Sequence, residues 1–402
     1  MTASLPPHPG RVIVLLGMLV AFGPLAIDLY LPALPAIAAG LAVPVERVQW
    51  SITVFLAGFA FGMLCYGPLS DRYGRRPLLL AGIALFVVAS LGCLLAVEVE
   101  QLIVARFLQA LGGGAASVLA RAVVRDLFHS AEAIRKLSLM AMLTAVAPLL
   151  APLLGSQLLA HFGWRSTFAA LLLWGLLSLF VVWRLLPESL PAELRGRLSW
   201  QAAFAAYLRL LADPAALGLL LAGGMSFAAM FAYITGSPYY LIELQGLTPT
   251  AYSLLFAANA AGIFAANWLN SRLLRRHGAA GLAGAGSVLA LLAALPLPLV
   301  ASLSGALPLT LGAIFVVVAT TGLLGANCVG LLMARYPANA GAAAALFGAA
   351  QFGFGMLASA TVSALHDGTA RPMALGMLVA SLASFAGYLL FRTFGTVDRA
   401  IR

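Results

Sequence analysis

VIVLLGMLVAFGPLAIDLYLPAL, residues Val12 to Leu34, is the stretch that decides the fold. From Val12 to Ile27 it carries no charge, Asp28 follows, and the apolar run resumes through Leu29, Tyr30, Leu31 and Leu34. A helix needs roughly 20 apolar residues to cross a bilayer, and this run supplies them. A carboxylate inside such a run costs roughly 2.5–3.5 kcal/mol on insertion scales, so Asp28 reads as a working group. Pro32 offers no amide hydrogen to the Asp28 carbonyl four residues earlier. In hydrocarbon a break of this kind is tolerated only beside protein or a water-filled cavity. Asp28 is therefore expected on an inward, wetted face, where it can take up and release a proton.

The same apolar pattern recurs along the chain. Of 402 residues, 62% are hydrophobic and 9% charged, and the mean hydropathy is +1.01. A soluble globule carries nearer ~25% charged residues, so that class is excluded. The expected fold class is an all-α membrane protein of about twelve transmembrane helices, each near the length a bilayer requires. In the first half these fall near residues 12–36, 48–69, 77–97, 100–122, 137–160 and 165–186; in the second, near 214–238, 249–271, 279–301, 306–334, 341–364 and 373–393. Residues 278–334 hold no Asp, Glu, Lys or Arg, so Pro296, Pro298, Ser302, Gly305 and Pro308 alone mark the turn there. The run lengths exclude a tandem of strands, and no soluble domain is read. The organisation expected is a six-helix bundle over 1–186, a linker over 187–213 and a second six-helix bundle over 214–402.

Charge placement orients this layout. Nineteen of the 23 Lys and Arg fall on the side of the N-terminus: Arg11, Arg72, Arg75, Arg76, Arg121, Arg125, Arg135, Lys136, Arg184, Arg195, Arg197, Arg209, Arg272, Arg275, Arg276, Arg335, Arg392, Arg399 and Arg402. Arg47, Arg165 and Arg371 lie opposite, and Arg106 lies within a span. The positive-inside rule then places both termini of this multi-pass protein in the cytoplasm. Basic loops facing anionic lipid account for a pI of about 10.1 without any nucleic-acid partner.

Other features are weaker. Ala36-Ile37-Ala38 mimics a signal cleavage site, but the apolar run before it is too long and further spans follow. Cys65, Cys93 and Cys328 are scattered without a CxxC pair, so neither a disulfide framework nor a metal site is expected. His8, His129, His161, His277 and His366 fall at span ends or in loops, which argues against a buried histidine proton chain. Within the linker, Leu198, Trp200, Phe204, Tyr207, Leu208 and Leu211 approximate one helical face, suited to a helix lying in the interface.

A repeat appears at a spacing of 200 residues: Leu69, Arg72, Arg75 and Arg76 correspond to Leu269, Arg272, Arg275 and Arg276. Each set closes the second span of its half and opens the third. Parallel repeats of this kind imply two bundles with substrate near the midplane between them.

Gly67-Pro68-Leu69-Ser70-Asp71-Arg72-Tyr73-Gly74-Arg75-Arg76-Pro77 resembles the signature loop between spans two and three of the major facilitator superfamily. Asp28-Leu29-Tyr30-Leu31-Pro32-Ala33-Leu34-Pro35 looks like the first span of its bicyclomycin-resistance (Bcr/CflA) subfamily of drug:proton antiporters. Arg106-Phe107-Leu108-Gln109-Ala110-Leu111-Gly112 resembles the fourth-span arginine motif, and the run from Ala147 to Gly155 resembles the fifth-span proline motif found mainly in antiporters.

The resemblance implies that Asp28 exchanges between proton and substrate. Some relatives carry a second acid about two turns earlier, where this chain has Val20 and apolar neighbours, so coupling would rest mainly on one group. Arg106 and Gln109 join Asp28 as candidate proton-coupling residues. A cation beside Asp28 would favour its ionised form while burial favours the neutral one; alternatively Arg106 caps first-span carbonyls freed by Pro32. Candidate gating residues are Asp71, Arg72, Arg75, Arg76, Pro148 and Pro152. The family suggests that Asp71 latches onto the N-terminal end of the eleventh helix; a loop that only sets topology is the alternative. Pro148 and Pro152 read as an antiport motif or as ordinary bends. Tyr30, Phe59, Met140, Phe231, Tyr233, Asn259, Asn327 and Gln351, with Asp28, are candidate substrate-binding residues, each equally open to a reading as packing.

Lys136 is the only lysine, and GxxxxGK[ST] is absent, so ion coupling rather than ATP hydrolysis is the expected energy source. The chain is expected to be no enzyme, to need no cofactor or metal, to act as a monomer, and to meet protons, membrane lipids and a small-molecule drug or metabolite. Multidrug export is the leading expectation. Export of one antibiotic (chloramphenicol-like) or of a metabolite is one alternative; proton symport for uptake is another.

Overall fold

The computed structural model describes residues 9–128, 130–191, 193, 195, 200–303 and 305–395. Among them the regular secondary structure is helical, with no strand. A helix satisfies its own N–H and C=O groups, which hydrocarbon demands. The helices are α1 (Pro9–Val20), α2 (Phe22–Asp28), α3 (Leu34–Gly40), α4 (Val45–Tyr73), α5 (Arg75–Leu95), α6 (Val99–Leu127), α7 (Ser130–Phe162) and α8 (Arg165–Leu185). After these come α9 (Trp200–Ala212), α10 (Pro214–Pro238), α11 (Pro249–Ala294), α12 (Leu297–Val300), α13 (Leu307–Arg335), α14 (Ala340–Ala364) and α15 (Arg371–Gly395).

Among the described residues ten helices are long and apolar enough to cross a membrane. One of them, Pro249–Val300, contains two crossings, because Gly278 at φ 68° breaks the helix. The shorter apolar helix Val146–Phe162, within α7, supplies the last. The twelve-helix layout expected from the sequence follows.

The chain clusters into two compact units, one of Val54–Ala203 with the residues up to Pro44, the other of Val45–Thr53 with Phe204 onward. In the first, α5 packs along α6 and α8, and α1 and α2 pack on α6 and α7. In the second, α10 packs on α13, α14 and α15, and α11 on α13 and α15. Lipid gives helices no hydrophobic reason to associate, so close packing must hold them, and small residues allow it. A Cβ on Gly112 of α6 would stand 2.5 Å from the Gly82 carbonyl oxygen of α5.

The first crossing is a broken helix, as Pro32 predicts: α2 ends at Asp28, a single 3₁₀ turn spans Leu31–Ala33, and α3 resumes at Leu34. Helix α1 leads into α2 through Ala21, whose φ −77° and ψ −11° are still helical. One departure from expectation concerns the repeat. Arg75 and Arg76 follow the break at Gly74 (φ 94°), whereas Arg275 and Arg276 precede the break at Gly278. The second half thus inserts one more helical turn, since 278 minus 74 is 204 rather than 200. Only a glycine enters this positive-φ region freely, so the glycine, not the arginines, sets where each helix stops.

Helix α7 continues through Pro148 and Pro152. In α9, Tyr207 and Leu210 are buried while Phe204, Leu208 and Leu211 are exposed; Leu198 lies outside the described residues.

Candidate functional site

Asp28 is the last residue of α2 and is 4% exposed. Among the described residues its carboxylate makes no hydrogen bond or ion pair. The Ala33 amide turns back to Tyr30 and Pro32 has no amide hydrogen, so the chain just past Asp28 leaves the α-helical pattern. Helix α7 presses directly on this break: a Cβ on Gly155 would lie 1.8 Å from the Leu29 carbonyl oxygen. The glycine that closes the proline motif is what admits the broken backbone.

Arg106 is completely buried, and among the fully buried side chains it is the largest. Its Nη1 donates to Gln109 Oε1. Gln109 Nε2 in turn donates to Ser90 Oγ at 2.8 Å, and Ser90 donates to the Phe86 carbonyl at 2.7 Å. The guanidinium stands over the rings of Tyr30 and Phe55, 4.3 Å from each centroid. Its Nε and Nη2 are buried without an acceptor. No ion pair joins Arg106 to Asp28, and Arg106 donates to no first-span carbonyl among the described residues. The cation meets the first-span break through the ring of Tyr30, two residues beyond Asp28. Phe59 extends this surface, stacked on Phe55 with centroids 6.0 Å apart and pressed against Gly23. Met140 is buried on α7.

The second unit holds the other candidates in neutral company. Asn259 Nδ2 donates to Tyr233 Oη at 2.9 Å, and Tyr233 stacks on Phe256. Phe231, Phe227 and Phe352 form an aromatic cluster. Asn327 Nδ2 donates to Asn270 Oδ1 and to the Leu323 carbonyl, 2.7 and 2.9 Å away. Gln351 lies beside Gly325. A buried hydroxyl chain that the sequence reading missed joins Thr53, Ser359 and Thr235 at 2.7 and 2.9 Å.

The gating candidates separate. Asp71 closes α4 and pairs with Arg75 at 2.6 Å; Arg75 Nε also reaches Asp126 Oδ2 at 3.0 Å. Arg72 lies over the Tyr73 ring, and Arg76 Nη2 donates to the Trp183 carbonyl at 2.8 Å. Glu188 was not anticipated: its two oxygens accept the Arg75 and Arg76 amides at 2.9 and 3.2 Å. A carboxylate there satisfies orphan donors at the start of α5 and faces the positive end of its dipole. An acid directly after a span and a proline was the available signal for it.

The second unit carries its own charged cluster. Asp213 caps α10 through the Ala215 amide at 2.9 Å, and its Oδ2 accepts from Arg335 Nε at 2.6 Å and from Tyr336 Oη. Burial pushes the Asp213 carboxyl up, but the Arg335 guanidinium, the Tyr336 hydroxyl and the Ala215 amide outweigh it and hold it below its ordinary value.

Residues 14–360 match the family model described as the Major Facilitator Superfamily. The bicyclomycin resistance protein homolog of Haemophilus influenzae is 30% identical over 380 residues, 94% of each chain. An uncharacterized MFS-type transporter of Bacillus subtilis, YdgK, is 34% identical over 370 residues, 92% of each. The multidrug transporter MdfA of Yersinia pestis is 37% identical over 232 residues, 58% of this chain and 56% of that one. Among solved structures, a peptide transporter POT in complex with sulfate superposes with a TM-score of 0.77 at 14% identity, covering 98% of this chain and 96% of that one. A D-xylose-proton symporter gives 0.73 at 19% identity, with 95% and 96% covered. At such identities these structures speak to the fold alone. The chain is a multi-pass membrane protein that belongs to the major facilitator superfamily of transporters.

Proposed function

We propose that this chain is a proton-coupled multidrug exporter of small amphipathic compounds, working by alternating access between bundles 1–186 and 214–402 joined by the linker 187–213. The observation that carries the reading is Asp28: a buried carboxylate, without a protein partner among the described residues, at the point where the first crossing breaks. A buried charge normally acquires a partner. One left without a partner is suited to exchange its proton for a substrate. The names of the relatives, a bicyclomycin resistance protein homolog and multidrug transporters, support export rather than uptake.

In this mechanism Asp28 accepts a proton from outside, which releases drug and permits return. An entering proton gains about 2.3 kcal/mol per 100 mV, enough for roughly a 50-fold gradient. Arg106, held by Gln109 and flanked by Tyr30 and Phe55, supplies fixed positive potential near the break. Asp71, Arg72, Arg75 and Arg76, with Pro148 and Pro152, serve the gating motions. Substrate meets Asp28, Tyr30, Phe59, Met140, Phe231, Tyr233, Asn259, Asn327 and Gln351. The working unit is the monomer, in a bacterial inner membrane, with both termini cytoplasmic.

The test is a resistance panel in an efflux-deficient host, wild type against Asp28→Asn, with and without an uncoupler. Coupled export should vanish in the variant while the protein level in the membrane is unchanged. Full drug efflux by Asp28→Asn would remove the proposal. Resistance to a single compound would favour the specific-exporter reading, and proton-driven accumulation the uptake reading.

A further inference from the structure

Helices α5 and α8 of the first unit flank an open apolar groove of about 630 Å³, with Leu80, Ala81 and Ala84 on one side and Leu176, Leu179, Phe180 and Trp183 on the other. Ala81 and Ala84 are small, which makes the concavity. Arg76, Leu80 and Ala84 follow one another at four-residue spacing, so one face of α5 runs from a guanidinium into the groove. The groove ends where Arg76 Nη2 donates to the Trp183 carbonyl, and Arg184 stands over the Trp183 ring at 5.1 Å.

The Arg76 cation is short of acceptors, and Arg184 beside it is exposed. The Arg76 guanidinium has five N–H donors. Among the described residues its side chain makes one hydrogen bond, and its Nε is buried without an acceptor. No ion pair joins Arg76 or Arg184 to a carboxylate there. The nearby Glu188 is committed to the Arg75, Arg76 and Leu190 amides and to Arg195. Eight residues separate Arg76 from Ala84, about 12 Å of helix at 1.5 Å per residue. One leaflet contributes about 15 Å of hydrocarbon. Basic pockets between transmembrane helices attract anionic headgroups.

We propose that this groove is a binding site for an anionic phospholipid of the phosphatidylglycerol type, its acyl chain along Leu80, Ala84, Leu176 and Phe180 and its phosphate on Arg76 and Arg184. Trp183 lies inside the groove and reports on its occupant. The purified full chain is reconstituted in nanodiscs with phosphatidylglycerol or phosphatidylcholine bearing brominated acyl chains. Quenching at Trp183 is isolated by difference from Trp183→Phe. The expected result is a preference for brominated phosphatidylglycerol of about fivefold or more, the effect of roughly one surface cation. Arg76→Gln with Arg184→Gln should erase that preference, and Ala84→Leu, which fills the groove, should reduce quenching by both lipids. Equal quenching of Trp183 by the two headgroups overturns the site. An equal preference at Trp268, which stands beside Arg272, reports a diffuse basic surface and also overturns it.

Discussion

Arg106 is a fully buried guanidinium with a single hydrogen bond, and that makes an unusual prediction about its removal. In its favour stand a charge-assisted bond to Gln109, worth about 1.5–3 kcal/mol, and two ring contacts at 4.3 Å, worth about 2 kcal/mol each when desolvated. Against it stand the guanidinium's desolvation, several kcal/mol, and two buried nitrogens without acceptors, about 1–3 kcal/mol each. The two sides cancel to within a few kcal/mol, with the balance toward cost. Arg106→Met alone would orphan Gln109 Oε1 at about 1–3 kcal/mol, so the clean perturbation is Arg106→Met with Gln109→Met. Ser90 keeps its bond to the Phe86 carbonyl in that variant. The double variant should match the wild type in thermal midpoint or exceed it, by about 2–4 °C for each kcal/mol, while drug export is lost. Arg106→Lys, which keeps the charge but not the planar group between two rings, should also fail to export. The assay is a thermal-shift melt in detergent beside a resistance measurement. A fall of more than about 6 °C in the double variant, or roughly 1.5–3 kcal/mol at that sensitivity, would refute the reasoning, because it would mean that Arg106 satisfies an anion.

Three further outcomes are expected. Gly155→Ala drives a methyl group into the Leu29 carbonyl, an overpacking cost of about 1–3 kcal/mol or more; no trimmed side chain can relieve it, and an unchanged melt would contradict the contact. Asp213→Asn weakens the bonds to Arg335 and Tyr336 and should cost about 1–3 kcal/mol, read as a lower melting point. Because the folded Asp213 carboxyl is held below its ordinary value, its contribution is full above the unfolded pKa of about 3.9 and is lost as pH falls through the folded one. Wild type and Asp213→Asn should therefore converge in stability only in that acid range, and convergence near neutrality would overturn the assignment. Asp28→Glu keeps the titrating group and should retain uncoupler-sensitive export that Asp28→Asn lacks; equal loss in both would show that position, not protonation, is what matters.

The sequence by itself determined the class and the layout of crossings, because a helix that crosses a bilayer must be long and apolar and the alternation of charge between loops reports the order of crossings. It also singled out Asp28 and Arg106, since a charge in hydrocarbon is costly enough to stand out in a single chain. It could not say which residues these charges meet. A transmembrane helix is apolar toward both lipid and protein, so periodicity does not separate its faces, and the contacts of Arg106 with Tyr30 and Phe55 appear only once α6 is packed on its neighbours. The repeat at 200 residues likewise matched arginines correctly by composition but not by place, because Gly74 and Gly278, each at positive φ, decide where the helices break. Glu188 at the start of α5 and Gly155 against Leu29 depend on segments 113 and 126 residues apart in the chain meeting in space. Tertiary packing alone brings them together.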